Sequence, residues 1–211
     1  MKKTLSIAAI FLLASCATYT PPTTEEATAT IKASFQARGI AQLDRLDQSE
    51  LQASCSQYAT SEMPKAQREK LEKAALDAVR YPANNNWLGD WKVGEQIAQN
   101  GRGLQFSDTA STVAGGNCYA CHQIQKAEIS YGNIGPSLYQ YGKLRGAASE
   151  GGQAQVPEAI MRYTWAKIWN SHAFNACSNM PRYGAAAILN EDQIRHVMAL
   201  LLDPQSPVNA Q

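Results

Sequence analysis

The sequence predicts a mainly α fold, with a helical extension ahead of a helical C-terminal domain. Three observations lead there. Apolar residues recur at three- to five-residue steps in several stretches, the period of amphipathic helices. Residues that start or stop helices punctuate those stretches, with Pro64 and Pro157 at starts and Gly101 and Asp203-Pro204 at ends. Strand signals are sparse throughout. A chain of 211 residues holds one domain plus an extension, or two small domains. The formal net charge of +1 carries no footprint for nucleic acid or an acidic membrane.

In chain order, residues 1–16 read as a bacterial export signal. Lys2 and Lys3 supply the positive start, and Leu5 to Leu13 form an apolar run too short to span a bilayer comfortably. Leu13-Ala14-Ser15-Cys16 then resembles the lipobox of bacterial lipoproteins, in which the cysteine becomes the lipidated first residue. The alternative is ordinary cleavage within Ala14 to Ala17. Either reading puts the mature protein outside the cytoplasm.

Residues 17–80 read as a tether and a helical extension. Thr18 to Thr24 is rich in Thr and Pro and suits a flexible linker. Ile31, Phe35, Leu43, Leu46 and Leu51 make an amphipathic stripe, with Gly39 breaking the first helix. Ser61 and Pro64 open another helix, whose inner face is Leu71, Ala74, Ala75 and Ala78. Lys65, Arg68, Lys70 and Lys73 form its solvated side. Helices this small bury little alone, so the extension is expected to pack on the next domain or on a partner.

That next domain, residues 81–211, opens at Tyr81-Pro82, where proline disfavours helix in the residue before it. Trp91 to Asn100 is a helix with Val93, Ile97 and Ala98 inward; Gly94 within it points to a close helix crossing. Pro157 to Trp169 is the next, with Ile160, Met161, Trp165, Ile168 and Trp169 inward. The last helix follows Asn190 as N-cap, with Gln193 completing a capping box. Ile194, Val197, Met198 and Leu201 form its apolar face, and His196 falls on the opposite, solvated side.

The chemistry concentrates at Cys118-Tyr119-Ala120-Cys121-His122. Cys-x-x-Cys-His is the signature of covalent c-type haem attachment. Two intervening residues let both sulfurs reach the two vinyl groups on one porphyrin edge, and the histidine that follows is placed under the iron. Gly115 and Gly116 let the backbone turn in close to the ring. A redox Cys-x-x-Cys would normally sit in a βαβ setting, which is absent. A zinc site needs further ligands, and adjacent Cys121 and His122 suit tetrahedral binding poorly.

Downstream, Gly132-Asn133-Ile134-Gly135-Pro136-Ser137-Leu138 is a loop with carbonyls left free around Pro136. One of these is expected to accept a hydrogen bond from the second ring nitrogen of His122, or else the segment is a plain turn. Asn179-Met180-Pro181-Arg182-Tyr183-Gly184 places a methionine in a Pro/Gly loop, where a thioether serves as second axial ligand. His172 and Cys177 are rivals for that position, and Met161 reads as core. Five cysteines are present. With Cys16, Cys118 and Cys121 accounted for, Cys55 and Cys177 remain, and an oxidising compartment favours a disulfide between them. The alternatives are a buried free thiol at Cys55 or a bridge to another chain.

Residues Trp91 to Leu202 resemble a class I cytochrome c in the order of helix, haem run, Gly-Pro loop, Met loop and final helix. Within that class the three quoted loop stretches together resemble SoxX, the small monohaem subunit of the SoxAX cytochromes of bacterial sulfur oxidation. The resemblance implies one covalent haem c and a heterodimer with a SoxA-type haem subunit. It implies electron transfer during oxidative coupling of thiosulfate to the SoxYZ carrier cysteine, the L-cysteine S-thiosulfotransferase reaction. This chain would then hold no substrate site and would pass electrons to a downstream cytochrome. The lipobox departs from the soluble periplasmic form. The alternatives are a general periplasmic monohaem carrier for another dehydrogenase, and a haem enzyme or sensor with a labile distal ligand.

Overall fold

The computed structural model describes residues 20–151 and 153–210. The expected export signal, Cys16 and the start of the expected tether lie outside the described residues. The chain divides into two compact units, Met1–Gln36 and Ala37–Gln211. The described part of the first is one helix, α1 (Thr24–Ser34), opened by a reciprocal capping box between Thr23 and Glu26. Its Ile31 is 46% exposed and Phe35 after it 57% exposed.

The stripe expected from Ile31 to Leu51 is therefore not one buried helix face. Leu43 and Leu46 sit in a single 3-10 turn, and Leu51 belongs to a separate short helix, α2 (Glu50–Gln57). Three elements share those residues, because Gly39, at φ +57°, and the Ser49 cap interrupt the period. In α3 (Lys65–Asp77) the inward residues are Ala75, with Val79 after it and Leu71 half-buried before it. Ala74 and Ala78, expected inside, are exposed, as are Lys65, Arg68, Lys70 and Lys73. Tyr81-Pro82 lies inside the second unit; just before it, the Arg80 carbonyl accepts from the indole N–H of buried Trp165 at 2.7 Å.

The core is built on α4 (Trp91–Gln99), α6 (Glu158–Trp169) and α7 (Glu191–Leu202). Asp90 caps α4 by accepting from the Lys92 N–H at 2.8 Å. α4 crosses α7 so closely that a Cβ on Gly94 would lie 2.1 Å from the His196 carbonyl oxygen. His196 is consequently not a solvated residue. It is half-buried in the crossing, and its Nδ1 accepts from the Asp90 N–H at 2.8 Å. α7 is apolar on more than one side: Ile194, Val197, Met198, Leu200, Leu201 and Leu202 are all buried, each contributing about 1.5–3 kcal/mol.

Two smaller pieces frame this core. α5 (Tyr141–Leu144) is fixed to the chain end by Asn209, whose side-chain oxygen accepts from the Gly142 N–H at 2.9 Å and whose amide donates to the Leu201 carbonyl at 3.0 Å. An antiparallel hairpin, β1 (Ala148–Glu150) and β2 (Gln153–Gln155), pairs Ala148 with Gln155 and is the sheet among the described residues.

Candidate functional site

The Cys-x-x-Cys-His run begins where the chain leaves α4. Gly116 N–H donates to the Ile97 carbonyl at 2.8 Å, and Asn117 N–H to the Asn100 carbonyl at 3.0 Å. A Cβ on Gly115 would lie 2.0 Å from the Asn100 oxygen. That glycine thus admits the end of α4. Asn117 then takes a left-handed φ of +47°, and Cys118–Ala120 form a 3-10 turn. The N–H groups of Cys121 and His122 both return to the Cys118 carbonyl, at 3.1 and 2.9 Å. One tight turn therefore presents both thiols and the imidazole.

The Gly-Pro loop is laced onto that turn. Gly132 N–H donates to the Tyr119 carbonyl at 2.9 Å, Gly135 N–H to Cys121 at 2.8 Å, and Leu138 N–H to Gln123 at 2.7 Å. His122 Nδ1 donates to the Pro136 carbonyl at 2.7 Å. This fixes the tautomer: with the proton on Nδ1, the lone pair is on Nε2. Gly135 lies against the imidazole, where a Cβ would come within 2.2 Å of Cε1.

Met180 arrives from the other side of the sequence, on the loop between α6 and α7. Ser171 Oγ donates to its carbonyl at 2.5 Å, and its N–H donates to Ser178 Oγ at 3.2 Å. The loop rejoins α6 through Tyr183 N–H to Ile168 and Gly184 N–H to Trp169, at 3.2 and 3.1 Å. Tyr183 itself is a site residue to which the sequence reading gave no role. It is buried, lines the cavity, and donates its hydroxyl to the Gly116 carbonyl at 2.5 Å, tying the methionine loop to the haem-run turn. Burial pushes its phenol pKa up.

Cys118, Cys121, His122 and Met180 all line one cavity of about 590 Å³. Its walls are otherwise apolar for the most part, with Ile124, Leu138, Ile168, Val197 and Leu200 contributing. Among the described residues, the lining holds no Asp or Glu, and its Lys and Arg side chains are Arg145 and Lys167, both cationic. Partial burial lowers the Lys167 pKa. Cys118 and Cys121 are unbonded, and burial pushes the Cys118 thiol up to about 12, so the sulfur is held as the neutral thiol. These residues fit a c-type haem: two free thiols in one turn, an oriented imidazole lone pair, a thioether, and an apolar cavity edged by cations. His172 is buried but outside the cavity lining, its ring nitrogen donating to the Ser178 carbonyl at 3.2 Å. Cys177 borders the cavity but is bonded to Cys55, with the sulfurs 2.05 Å apart, and so offers no thiolate. Met161 is half-buried against the core and outside the lining.

Comparison with known proteins agrees with this arrangement. Residues 94–203, about half of the chain, match the family model for cytochrome c. An uncharacterized lipoprotein of Aquifex aeolicus (strain VF5) is 34% identical over 134 residues. That alignment covers 62% of this chain and 58% of the relative's length. The match takes in most of the helix ahead of the attachment turn, the turn, both loops and the last helix, so this chain belongs to the cytochrome c family, whose members carry covalently bound haem c and transfer electrons.

Proposed function

We propose that this protein is a single-haem electron carrier of an exported redox system, acting as the SoxX-type subunit beside a SoxA-type haem subunit. The observation that carries the reading is the convergence of the His122 imidazole and the Met180 thioether on one cavity beside two free thiols. Cys118 and Cys121 serve as the thioether-forming residues, and His122 and Met180 as the iron ligands. Haem supplies a one-electron ferric/ferrous couple, and a thioether ligand favours the ferrous state.

The chain's own residues do the rest. Pro136 holds the His122 ring by its carbonyl, which keeps Nε2 free for the metal. Ser171 and Tyr183 hold the methionine loop closed over the apolar lining. His122 and Met180 would together hold the iron, which would leave no position for substrate, and the chain would work as a relay. The reading of thiosulfate chemistry in the partner, and of a SoxYZ carrier and a downstream cytochrome, rests on the three loop stretches quoted above.

An export signal ending in Cys16 and the lipoprotein name of the Aquifex relative support a periplasmic location with a lipid anchor. No helix among the described residues is long and apolar enough to cross a membrane.

The test is native purification with any bound partner, followed by addition of thiosulfate and a SoxYZ-type carrier to the oxidised complex. The expected result is reduction of this chain's haem that depends on both additions. Reduction only by an unrelated dehydrogenase, with no thiosulfate dependence, would replace this reading with that of a general monohaem carrier.

A further inference from the structure

We propose that the segment ahead of the cytochrome domain is a brace for the Met180 loop, applied through the Cys55–Cys177 disulfide and α3. The inference rests on Met180 being an iron ligand. It assigns Cys55, Cys177 and Glu72 as positioning residues.

The base of the loop is held by α6: the Asn170 N–H closes that helix on the Ala166 carbonyl at 2.9 Å, and Tyr183 and Gly184 return to Ile168 and Trp169. The far side, from Ala173 to Asn179, rests on α2 and α3. Cys177, three residues before Met180 and itself in the cavity lining, is bonded to Cys55 of α2. The Ala176 N–H donates to the Glu72 carboxylate of α3 at 3.1 Å, and Ala176 is buried beneath. The Asn170 side chain donates to the Ala75 carbonyl at 3.3 Å. The two helices are joined by Gln67 donating to Ser54 at 3.5 Å. A chain of contacts thus runs from α2 and α3 to the residues that set where the thioether lies.

The consequence is energetic rather than architectural. A ligand from outside binds the metal only in the fraction of molecules in which the thioether has moved away, so its apparent affinity scales with that fraction. A brace that disfavours loop opening lowers the fraction; removing it raises the fraction without touching either iron ligand.

The experiment uses the full-length holo-protein and reads imidazole binding to the ferric form by optical titration. Cys55→Ser/Cys177→Ser is expected to raise imidazole affinity by on the order of tenfold, and Glu72→Ala to raise it by less. Asp90→Ala, which removes the α4 cap far from this loop in the sequence, is the control for general destabilisation. If the double variant does not accumulate, CO binding to the ferrous native protein is compared before and after phosphine reduction of the disulfide. Faster CO binding after reduction is then expected. Imidazole or CO binding that follows Asp90→Ala as closely as the disulfide variant, or that ignores the disulfide altogether, overturns the brace. Met180→Ala separates the two readings. If it leaves imidazole binding and the spectrum unchanged, the ligand assignment falls and the brace with it. If it opens the site while the disulfide variant does not, the brace alone falls.

Discussion

At the scale of single residues, the site is a set of local choices with separate consequences. Met180→Ala removes the one thioether that the described residues bring to the cavity lining. On the proposed ligation, the ferric protein should lose a methionine–iron charge-transfer band, the ferrous protein should bind CO, and the midpoint should fall, because the thioether that would favour ferrous iron is gone. Met180→His should restore a low-spin spectrum while leaving the midpoint low. Gly135→Ala probes the opposite loop. Its methyl would lie 2.2 Å from His122 Cε1, so ring or loop must move and the 2.7 Å bond to Pro136 is strained. The expected outcome is poor haem retention, measured as the haem-to-protein ratio after export.

His172 gives a pH prediction. Burial is the larger cause holding its pKa below the usual value of about 6.5, with Arg182 and Lys167 adding to the lowering and the Ser178 carbonyl opposing it. The folded state thus favours neutral imidazole, while the unfolded chain protonates first as pH falls. Stability present above about pH 6.5 is lost as pH drops towards the lower folded value. Urea midpoints measured between neutral and mildly acidic pH should fall for the native protein and fall less for His172→Asn.

At the scale of elements, the α4–α7 crossing decides between two opposed effects. Gly→Ala in a helix interior gains about 1 kcal/mol of helix propensity. At Gly94 the new methyl would sit 2.1 Å from the His196 carbonyl oxygen, and backbone cannot swing aside like a side chain. Overpacking of this kind costs about 1–3 kcal/mol, so Gly94→Ala should destabilise by chemical denaturation despite the better propensity. This crossing also shows what was legible in the sequence. The capping box of α7, the stop at Asp203, the glycine in α4 and the attachment turn are all local patterns, and local patterns survive in one dimension. His196 was misjudged because a helical period reports one covered face, and α7 is covered on further sides by α4 and α6. Gly115 shows the converse limit: a glycine announces a close approach but not its partner, and the neighbour it meets is the end of α4. Tyr183 and Asn209 act through hydrogen bonds across 67 residues each, to Gly116 and Gly142, and no spacing in the sequence encodes such a pairing.

At the scale of the whole molecule, the extension is two things of different worth to the fold. The unit ending at Gln36 has a helix with no buried residue, whereas the stretch from Ala37 onward belongs to the same compact unit as the haem cavity. That stretch carries Cys55, whose bond closes a sequence separation of 122 residues on Cys177. It also carries Glu72, Ala75 and Arg80, whose oxygens receive Ala176, Asn170 and Trp165. A disulfide is typically worth about 2–4 kcal/mol, and long loops lie at the upper end. Losing Arg80 as well would leave the buried Trp165 indole N–H without its partner, costing a further 1–3 kcal/mol or so. Two truncations, both fused to an intact export signal, should therefore diverge. Removing residues 20–36 should leave the haem spectrum and the denaturation midpoint close to those of the full chain. Removing residues 20–80 should lower the midpoint sharply and raise the fraction of exported protein that binds CO without added denaturant. Equal behaviour of the two truncations in both assays would mean that the interactions of α2 and α3 with the methionine loop contribute nothing to the stability of the folded domain, and the division of the chain at Gln36 would then have no energetic meaning.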